Sequence, residues 1–222
     1  MCWLCILDGR NRPGQEKPRM AIMSAVEITA FIILSLFYAS FFIKMLLLKR
    51  RGINSNLLGK GRKPAKALSV EKSLKTVTFI GAPVQLASVF LSMKIWSLWA
   101  RPALQVSGLI LAALGTGFFI SAMAAMKSNW RSGCETGQNT SLVVAGPYKI
   151  SRNPAFVGFD LLYLGYALAF PNVVNLIISG WAVATFHRQI LEEEAFLETA
   201  FGEEYRQYKS RIRRYLGRTG SA

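Results

Sequence analysis

Two groups of polar side chains in this sequence are suited to binding a charged ligand. Residues 146–154 read Gly-Pro-Tyr-Lys-Ile-Ser-Arg-Asn-Pro, and residues 192–194 are three consecutive glutamates. Glycine and proline both restrict the backbone of a turn, so the first segment, called here the 146–154 turn, holds its side chains in fixed positions. An apolar stretch separates the two groups, and a helical hairpin there would bring both to the same membrane face. A basic turn beside carboxylates suits a cationic cofactor that meets a lipid-soluble substrate.

The composition indicates a membrane protein. Of the 222 residues, 52% are hydrophobic, and the formal net charge is +15. A sequence pI of about 10.1 also fits a nucleic-acid-binding protein. However, the apolar residues lie in blocks, and the basic residues lie mainly between and after them, as in the cytoplasmic loops of membrane proteins. We therefore expect membrane lipids as partners, and no nucleic acid.

The apolar blocks in the first half of the chain predict three membrane-spanning helices. The first runs from about residue 23 to 48 and is too long and too evenly apolar for a cleaved signal peptide. The second covers about 76–96, with Pro83 as an expected kink, and the third runs from Pro102 to about residue 126. Loop 49–75 is strongly basic, which places it in the cytoplasm. Residues 1–22 are polar, and translation from an internal methionine would remove most of this segment.

On the third span, small residues recur every four positions and predict a face that another helix approaches closely. These residues are Ala113, Gly117, Ser121 and Ala125.

The second half of the chain predicts a helical hairpin and a charged helical tail. Residues 155–187 are apolar and long enough for one tilted helix or two short ones, and Pro171-Asn172 favours two helices joined by a turn. From Arg188 onward the chain is charged, with an apolar stripe at helical spacing that Gly202 is expected to interrupt. The predicted fold is thus an all-α polytopic membrane bundle, with about five transmembrane helices and a cytoplasmic C-terminal helical tail.

Several kinds of chemistry lack the residues that they need. The sequence has no Ser-His-Asp set and no glycine-rich phosphate loop after a strand. Three irregularly spaced cysteines and a single histidine, His187, do not assemble a four-ligand zinc site, so we expect no metal. Asp160 is different, because an acidic residue inside a membrane span is a functional candidate, and Arg152 is one partner for it.

The residue types alone leave two interpretations of the 146–154 turn open. In the first, it is a rigid entry to a membrane helix, and Arg152 binds a lipid phosphate. In the second, it forms half of a cofactor site, and one of the three glutamates turns inward to form the other half.

The order and spacing of these residues resemble the isoprenylcysteine carboxyl methyltransferases and their phospholipid methyltransferase relatives. The resemblance covers about residues 127–216, whereas the first three spans are similar only in character. It is carried by Leu142-Val143, Gly146-Pro147-Tyr148, Arg152-Asn153-Pro154, Glu193-Glu194 with Leu197, Phe201-Gly202 with Tyr205, then Tyr208 and Arg213-Arg214-Tyr215. The chain accordingly divides into a polar segment 1–22, three spans in 23–126, a methyltransferase-like cofactor region 127–216 and a tail 217–222.

The resemblance implies an S-adenosylmethionine-dependent methyltransferase that acts on a lipophilic acceptor, either a prenylcysteine-like carboxylate or a lipid amine. It assigns catalytic roles to Arg152, Asn153 and Arg188. It assigns binding of the methyl donor to Thr140, Ser141, Leu142, Val143, Tyr148, Asn153, Pro154, Ala155, Phe156 and Glu193.

Two positions depart from the pattern of the eukaryotic enzymes. Asn153 replaces a histidine; it keeps the ability to form hydrogen bonds but does not titrate. Gln189 stands where those enzymes place an arginine that contacts the substrate, and Arg188 is the adjacent substitute. Two other functions remain as alternatives: an NADPH-dependent enzyme similar to sterol reductases, and a non-catalytic membrane scaffold. The sequence specifies neither the acceptor nor the oligomeric state.

Overall fold

The structure, a computed structural model, describes residues 24–59, 63–91, 101–131 and 141–219. In these residues the regular secondary structure is helical, apart from an isolated bridge between Ile212 and Arg218, which confirms the predicted all-α class. The helices are α1 (Ala25–Arg50), α2 (Ala65–Leu91), α3 (Pro102–Met126), α4 (Pro154–Ala169) and α5 (Val173–Arg211). Two short 3-10 turns cover Lys127–Asn129 and Gly146–Lys149.

Two of the helices are long and apolar enough to cross a membrane, namely α1 and the stretch Pro102–Asn129. A capping box fixes the start of α1, where Ser24 and Glu27 exchange side-chain to backbone hydrogen bonds. Pro102 opens α3 where the sequence predicts it. Helix α4 is apolar but short. Helix α2 begins eleven residues before the predicted span, because the polar residues that precede Thr76 are also helical.

The apolar stretch 155–187 folds as two helices, as predicted. Asn172 caps α5 by accepting a hydrogen bond from the backbone N–H of Asn175 (2.8 Å). The Asn175 amide donates in turn to the carbonyl oxygens of Tyr166 and Phe170, which locks the turn. Helix α5 then continues directly into the charged tail, and Gly202, at φ +54°, interrupts the helical conformation as predicted.

Glycines bring α3 and α4 into close contact. A Cβ atom added at Gly108 would lie 2.5 Å from the carbonyl oxygen of Gly165, and one added at Gly115 would lie 2.7 Å from that of Gly158. Such distances leave no room for a side chain, so the backbones of the two helices approach directly, as small residues permit in membrane helices.

The small-residue face predicted for the third span is wrong. Among the described residues, nothing lies within 4 Å of a Cβ placed at Gly117, and Ala113 is exposed. Both faces of α3 carry small residues at four-residue intervals. The packed face is the one that carries Gly108 and Gly115, because the glycines of α4 lie opposite these two residues.

Stacked aromatic rings join the helices just above the polar end of the bundle. The rings of Phe37 and Phe119 lie 4.3 Å apart between centroids, and Phe159 contacts both Phe119 and Phe186 at 5.0 Å. These rings come from α1, α3, α4 and α5, so they hold the four helices together and form the floor beneath the candidate site.

Candidate functional site

A cavity of about 550 Å³ opens where the 146–154 turn meets α1, α2 and α5. Nine of the ten residues predicted to bind the methyl donor line it, and the tenth, Thr140, lies outside the described residues. The nine are Ser141, Leu142, Val143, Tyr148, Asn153, Pro154, Ala155, Phe156 and Glu193. The two segments that the sequence pattern connects therefore meet in space.

The three residues with predicted catalytic roles do not lie together. Arg152 and Asn153 line the cavity, whereas Arg188 is exposed on α5 and is not part of the cavity lining. The suggested pairing of Arg152 with Asp160 is wrong, because Arg152 pairs with Glu194 at 3.0 Å. One carboxylate oxygen of Asp160 is buried without a hydrogen-bond partner among the described residues.

The three consecutive glutamates point in three directions, because successive residues of a helix lie about 100° apart. Glu192 forms an ion pair with Lys66 of α2 (2.8 Å). Glu193 lines the cavity. Glu194 is 4% exposed and binds the 146–154 turn. Glu192 and Glu194 thus connect α5 to α2 and to the 146–154 turn, and Glu193 is left facing the cavity.

Arg152 joins the 146–154 turn to α5 and to the chain beyond it. Its guanidinium donates to both carboxylate oxygens of Glu194 at 3.0–3.1 Å. The remaining terminal nitrogen donates to the carbonyl oxygens of Lys209 (3.2 Å) and Ile212 (3.3 Å). Every nitrogen of this guanidinium is therefore hydrogen-bonded to protein groups. This geometry is suited to holding the 146–154 turn in position.

Asn153 and Arg214 complete the set of donors around Glu194. The Asn153 amide donates to Glu194 (2.9 Å) and to the carbonyl oxygen of Arg214 (3.2 Å). Arg214 donates from two nitrogens to the second oxygen of Glu194. Burial on its own would raise the pKa of Glu194, but the hydrogen bonds from Arg214 and Asn153 and the charge of Arg152 outweigh it and lower this pKa.

Glu193 is the acidic group that faces the cavity. Burial raises its pKa to about 7, although a hydrogen bond from Gln189 opposes the shift. The Gln189 amide nitrogen lies 3.1 Å from the carboxylate, and Gln189 itself is buried. A carboxylate that loses bulk water in this way gains most from a cationic ligand placed against it.

Tyr208 holds the backbone of the 146–154 turn in place. Its hydroxyl donates to the carbonyl oxygen of Tyr148 at 2.7 Å and lies 3.2 Å from that of Ser151. Burial and the nearby Glu193 charge raise the pKa of Tyr148, so this phenol stays protonated and can donate a hydrogen bond into the cavity.

The opposite wall of the cavity is aromatic and reaches the outer surface. Phe37, Phe41 and Phe42 of α1 and Phe79 of α2 belong to this wall. Phe42 is 60% exposed and Phe79 is 81% exposed, so the cavity opens sideways between α1 and α2. The sequence did not indicate these residues, because the resemblance assigns no roles to the first three spans.

The central role of Glu194 was also missed from the sequence. The available signal was the presence of Arg152 and Arg214 in the same sequence pattern as Glu194, because these are the two arginines that pair with it in the structure.

Comparisons with known proteins point to the same region. The phospholipid methyltransferase family matches residues 104–204. The protein-S-isoprenylcysteine O-methyltransferase of Schizosaccharomyces pombe is 31% identical over 111 residues. This alignment covers 49% of this chain and 47% of that protein. The human protein of the same name is 31% identical over 112 residues, 49% of this chain and 39% of that protein. An uncharacterized protein of Haemophilus influenzae is 44% identical over 55 residues, 25% of this chain and 79% of that protein.

The region matched by the family contains the 146–154 turn, α4 and the three glutamates, and it therefore includes Arg152, Asn153 and Glu193, which line the cavity. Residues 104–204 thus match the phospholipid methyltransferase family, and about half of the chain is similar to isoprenylcysteine O-methyltransferases, which confirms the resemblance seen in the sequence. The matched segment spans less than half of the length of the two isoprenylcysteine methyltransferases.

Proposed function

We propose that this protein is an integral-membrane methyltransferase that uses S-adenosylmethionine and acts on a lipophilic acceptor. The observation that carries the proposal is the single cavity that joins Glu193 and the 146–154 turn to an aromatic opening between α1 and α2. A polar end and a lipid-facing opening are what a water-soluble donor and a membrane-soluble acceptor require.

The residues of the cavity fit the methyl donor. The volume of about 550 Å³ falls within the range of about 300–1,000 Å³ that is usual for small-molecule pockets. The Glu193 carboxylate suits the positive charges of the donor, and the Tyr148 hydroxyl is a neutral hydrogen-bond donor. When bound, S-adenosylmethionine supplies an electrophilic methyl group on a sulfonium centre.

The protein contributes alignment and exclusion of water to this reaction. Glu193 holds the cationic part of the donor, and the phenylalanines of α1 and α2 hold the acceptor and keep the site dry. Arg152 and Glu194 keep the 146–154 turn at a fixed distance from α5. A carboxylate acceptor attacks without a base, whereas a lipid amine must first lose a proton, for which Glu193 is the nearest group with a suitable pKa.

The names of the relatives support two candidate acceptors. The names of the similar proteins state O-methylation of S-isoprenylcysteine, so a prenylcysteine carboxylate is the first candidate. The matching family is described as phospholipid methyltransferase, so a lipid amine is the second.

We also propose that the chain crosses the membrane about five times with the cavity on the cytoplasmic side. The basic end of α1, Lys49-Arg50, and the Lys66–Glu192 ion pair lie at the end of the bundle where the cavity opens. Basic residues mark the cytoplasmic ends of membrane helices.

Equilibrium binding to the purified full chain tests the donor assignment. We expect S-adenosylmethionine to bind and NADPH not to bind. Glu193→Gln is expected to weaken donor binding by about tenfold or more, since it removes the carboxylate that faces the cationic ligand. Glu192→Gln, which alters the adjacent surface ion pair, is the matched control and should bind as the wild type does. Binding of NADPH alone would favour the reductase alternative, and binding of neither would favour a scaffold.

A further inference from the structure

The last described residues form a surface element that the proposed reaction does not use. Residues 212–219, called here the C-terminal turn, fold back after α5. The bridge between Ile212 and Arg218 closes the turn, and the Thr219 N–H donates to the carbonyl oxygen of Arg211 at the end of α5 (3.0 Å). The Arg213 N–H donates to the carbonyl oxygen of Gly217 (2.9 Å), and the Gly217 N–H donates to that of Ile150 (2.7 Å). Gly217 has φ +102°, a conformation that other residues rarely adopt. The C-terminal turn is therefore a built element fixed to the 146–154 turn.

The contacts of the C-terminal turn with Ile150 and with His187 place it at the depth of the lipid headgroups. Ile150 lies four residues before the start of the apolar helix α4. On the other side, the Tyr215 hydroxyl is 2.6 Å from Nδ1 of His187, and the two rings are stacked. His187 lies where the apolar part of α5 gives way to the charged part. Both contacts thus lie at the boundary between the apolar and polar parts of a helix, where a membrane surface meets water.

The exposed face of the C-terminal turn combines aliphatic and basic side chains. Leu216 is 53% exposed and Ile150 is 46% exposed. Lys149, Arg213 and Arg218 are also exposed, and none of these three forms an ion pair with a carboxylate in the described part of the chain. Exposed aliphatic side chains flanked by cations are the composition of segments that lie in the interface of anionic membranes.

We propose that the C-terminal turn and Ile150 dock onto an anionic phospholipid surface, with Leu216 and Ile150 in the headgroup region and the basic side chains on lipid phosphates. Arg214 belongs to the same turn and binds Glu194 (3.0 Å), so the docked lipid also holds the Glu194 cluster in place. The proposal concerns a surface outside the cavity and does not depend on methyl transfer.

Hydrogen exchange of the full chain in lipid nanodiscs tests this docking. The amides of Arg213, Gly217 and Thr219 are hydrogen-bonded, so exchange in residues 212–219 measures how often the turn opens. Nanodiscs of phosphatidylcholine alone are compared with nanodiscs that also contain phosphatidylglycerol. We expect exchange to be slower by about fivefold or more with the anionic lipid, because each basic side chain at such a surface contributes a factor of about five. Added salt should remove the difference.

Paired variants separate specific docking from overall charge. Arg213→Gln with Arg218→Gln should abolish the lipid dependence, whereas Lys72→Gln with Arg206→Gln, an equal loss of charge at other exposed positions, should preserve it. Equal exchange of the wild type in both nanodiscs would overturn the proposal. So would an equal effect of the two variant pairs, or slowing by inorganic phosphate in neutral nanodiscs, which would identify a soluble anion as the ligand.

Discussion

Glu194 binds three different side chains that come from two distant segments. Arg152 and Asn153 approach it from the 146–154 turn, and Arg214 approaches it from the C-terminal turn. Removing the carboxylate would leave Arg152, whose side chain is 8% exposed, without its counter-charge. Glu194 is thus the residue on which the geometry of the polar wall depends.

We expect Glu194→Gln to destabilise the protein by about 3–5 kcal/mol, the usual cost of leaving one member of a buried ion pair unpaired. Glu198→Gln is the control, because its pair with Lys209 is solvent-exposed and exposed pairs contribute little to stability. Thermal unfolding in detergent measures both variants. A similar small decrease in Tm for the two would show that the Glu194 cluster does not hold the turn.

Glu193 makes donor binding depend on pH. Its pKa of about 7 means that the carboxylate is mostly protonated near pH 6 and mostly ionised near pH 7.5, so affinity for a cationic donor should rise about eightfold across this interval. Because this pKa is raised in the folded state, Glu193 also lowers the stability of the ligand-free protein as the pH rises toward 7. Isothermal titration at both pH values should give the rise for the wild type and no rise for Glu193→Gln. A rise of equal size in the variant would assign the pH dependence to another group.

Part of this site was predictable at the level of residues, and part was not. The order of the turn, the acidic cluster and the Phe201-Gly202 pair identified nine residues that share one cavity. The sequence did not separate the roles of Glu193 and Glu194, because the direction of each side chain depends on how far α5 is rotated against its neighbours. Packing fixes that rotation, through the buried cluster in which Val77 of α2 lies with Ala182 and Phe186 of α5.

Among the elements, the α3–α4 pair has the closest contact. Gly115 meets the backbone of α4, whereas Gly117 on the same helix has open space around it. The boundaries of α3 were predictable from Pro102 and from the change in hydropathy near residue 126. The face that packs was not predictable, because small residues occur on both sides of this helix. The continuity of α5 past residue 188 was equally hidden, since a change from apolar to charged residues does not interrupt a helix.

The two glycines of α3 allow a matched test of this packing. Gly115→Ala is expected to destabilise the protein by about 1–3 kcal/mol, because the added carbon must push the helices apart. Gly117→Ala should be neutral or stabilising by up to about 1 kcal/mol, since alanine favours helix more than glycine does. Thermal unfolding in detergent compares them, and an equal effect of the two substitutions would contradict the close α3–α4 contact.

In the molecule as a whole, the cavity connects a polar end to a lipid-facing side. The polar end and the lipid-facing side are each formed by more than one helix. No local pattern in the sequence therefore predicts the sideways opening between α1 and α2. The sequence did predict the all-helical class and the end of the helix bundle where basic residues are concentrated, because both follow from composition and periodicity.

Narrowing the sideways opening should affect the acceptor and not the donor. Thr78 of α2 lines the cavity, whereas Thr76 is exposed and does not. We expect Thr78→Trp to raise the KM for a prenylated cysteine several-fold while the Kd for S-adenosylmethionine stays unchanged, and Thr76→Trp to change neither. Weaker donor binding in Thr78→Trp would mean that the two ligands do not enter by separate routes.

The most direct test of the central claim is methyl transfer by the purified full chain in lipid vesicles. S-adenosylmethionine with a labelled methyl group is supplied outside, and the vesicles contain either a prenylated cysteine or phosphatidylethanolamine. The account predicts label in one of these lipophilic acceptors, and a loss of about tenfold or more in kcat/KM with Glu193→Gln but not with Glu192→Gln. No label in either acceptor, or equal rates for Glu193→Gln and the wild type, would contradict it.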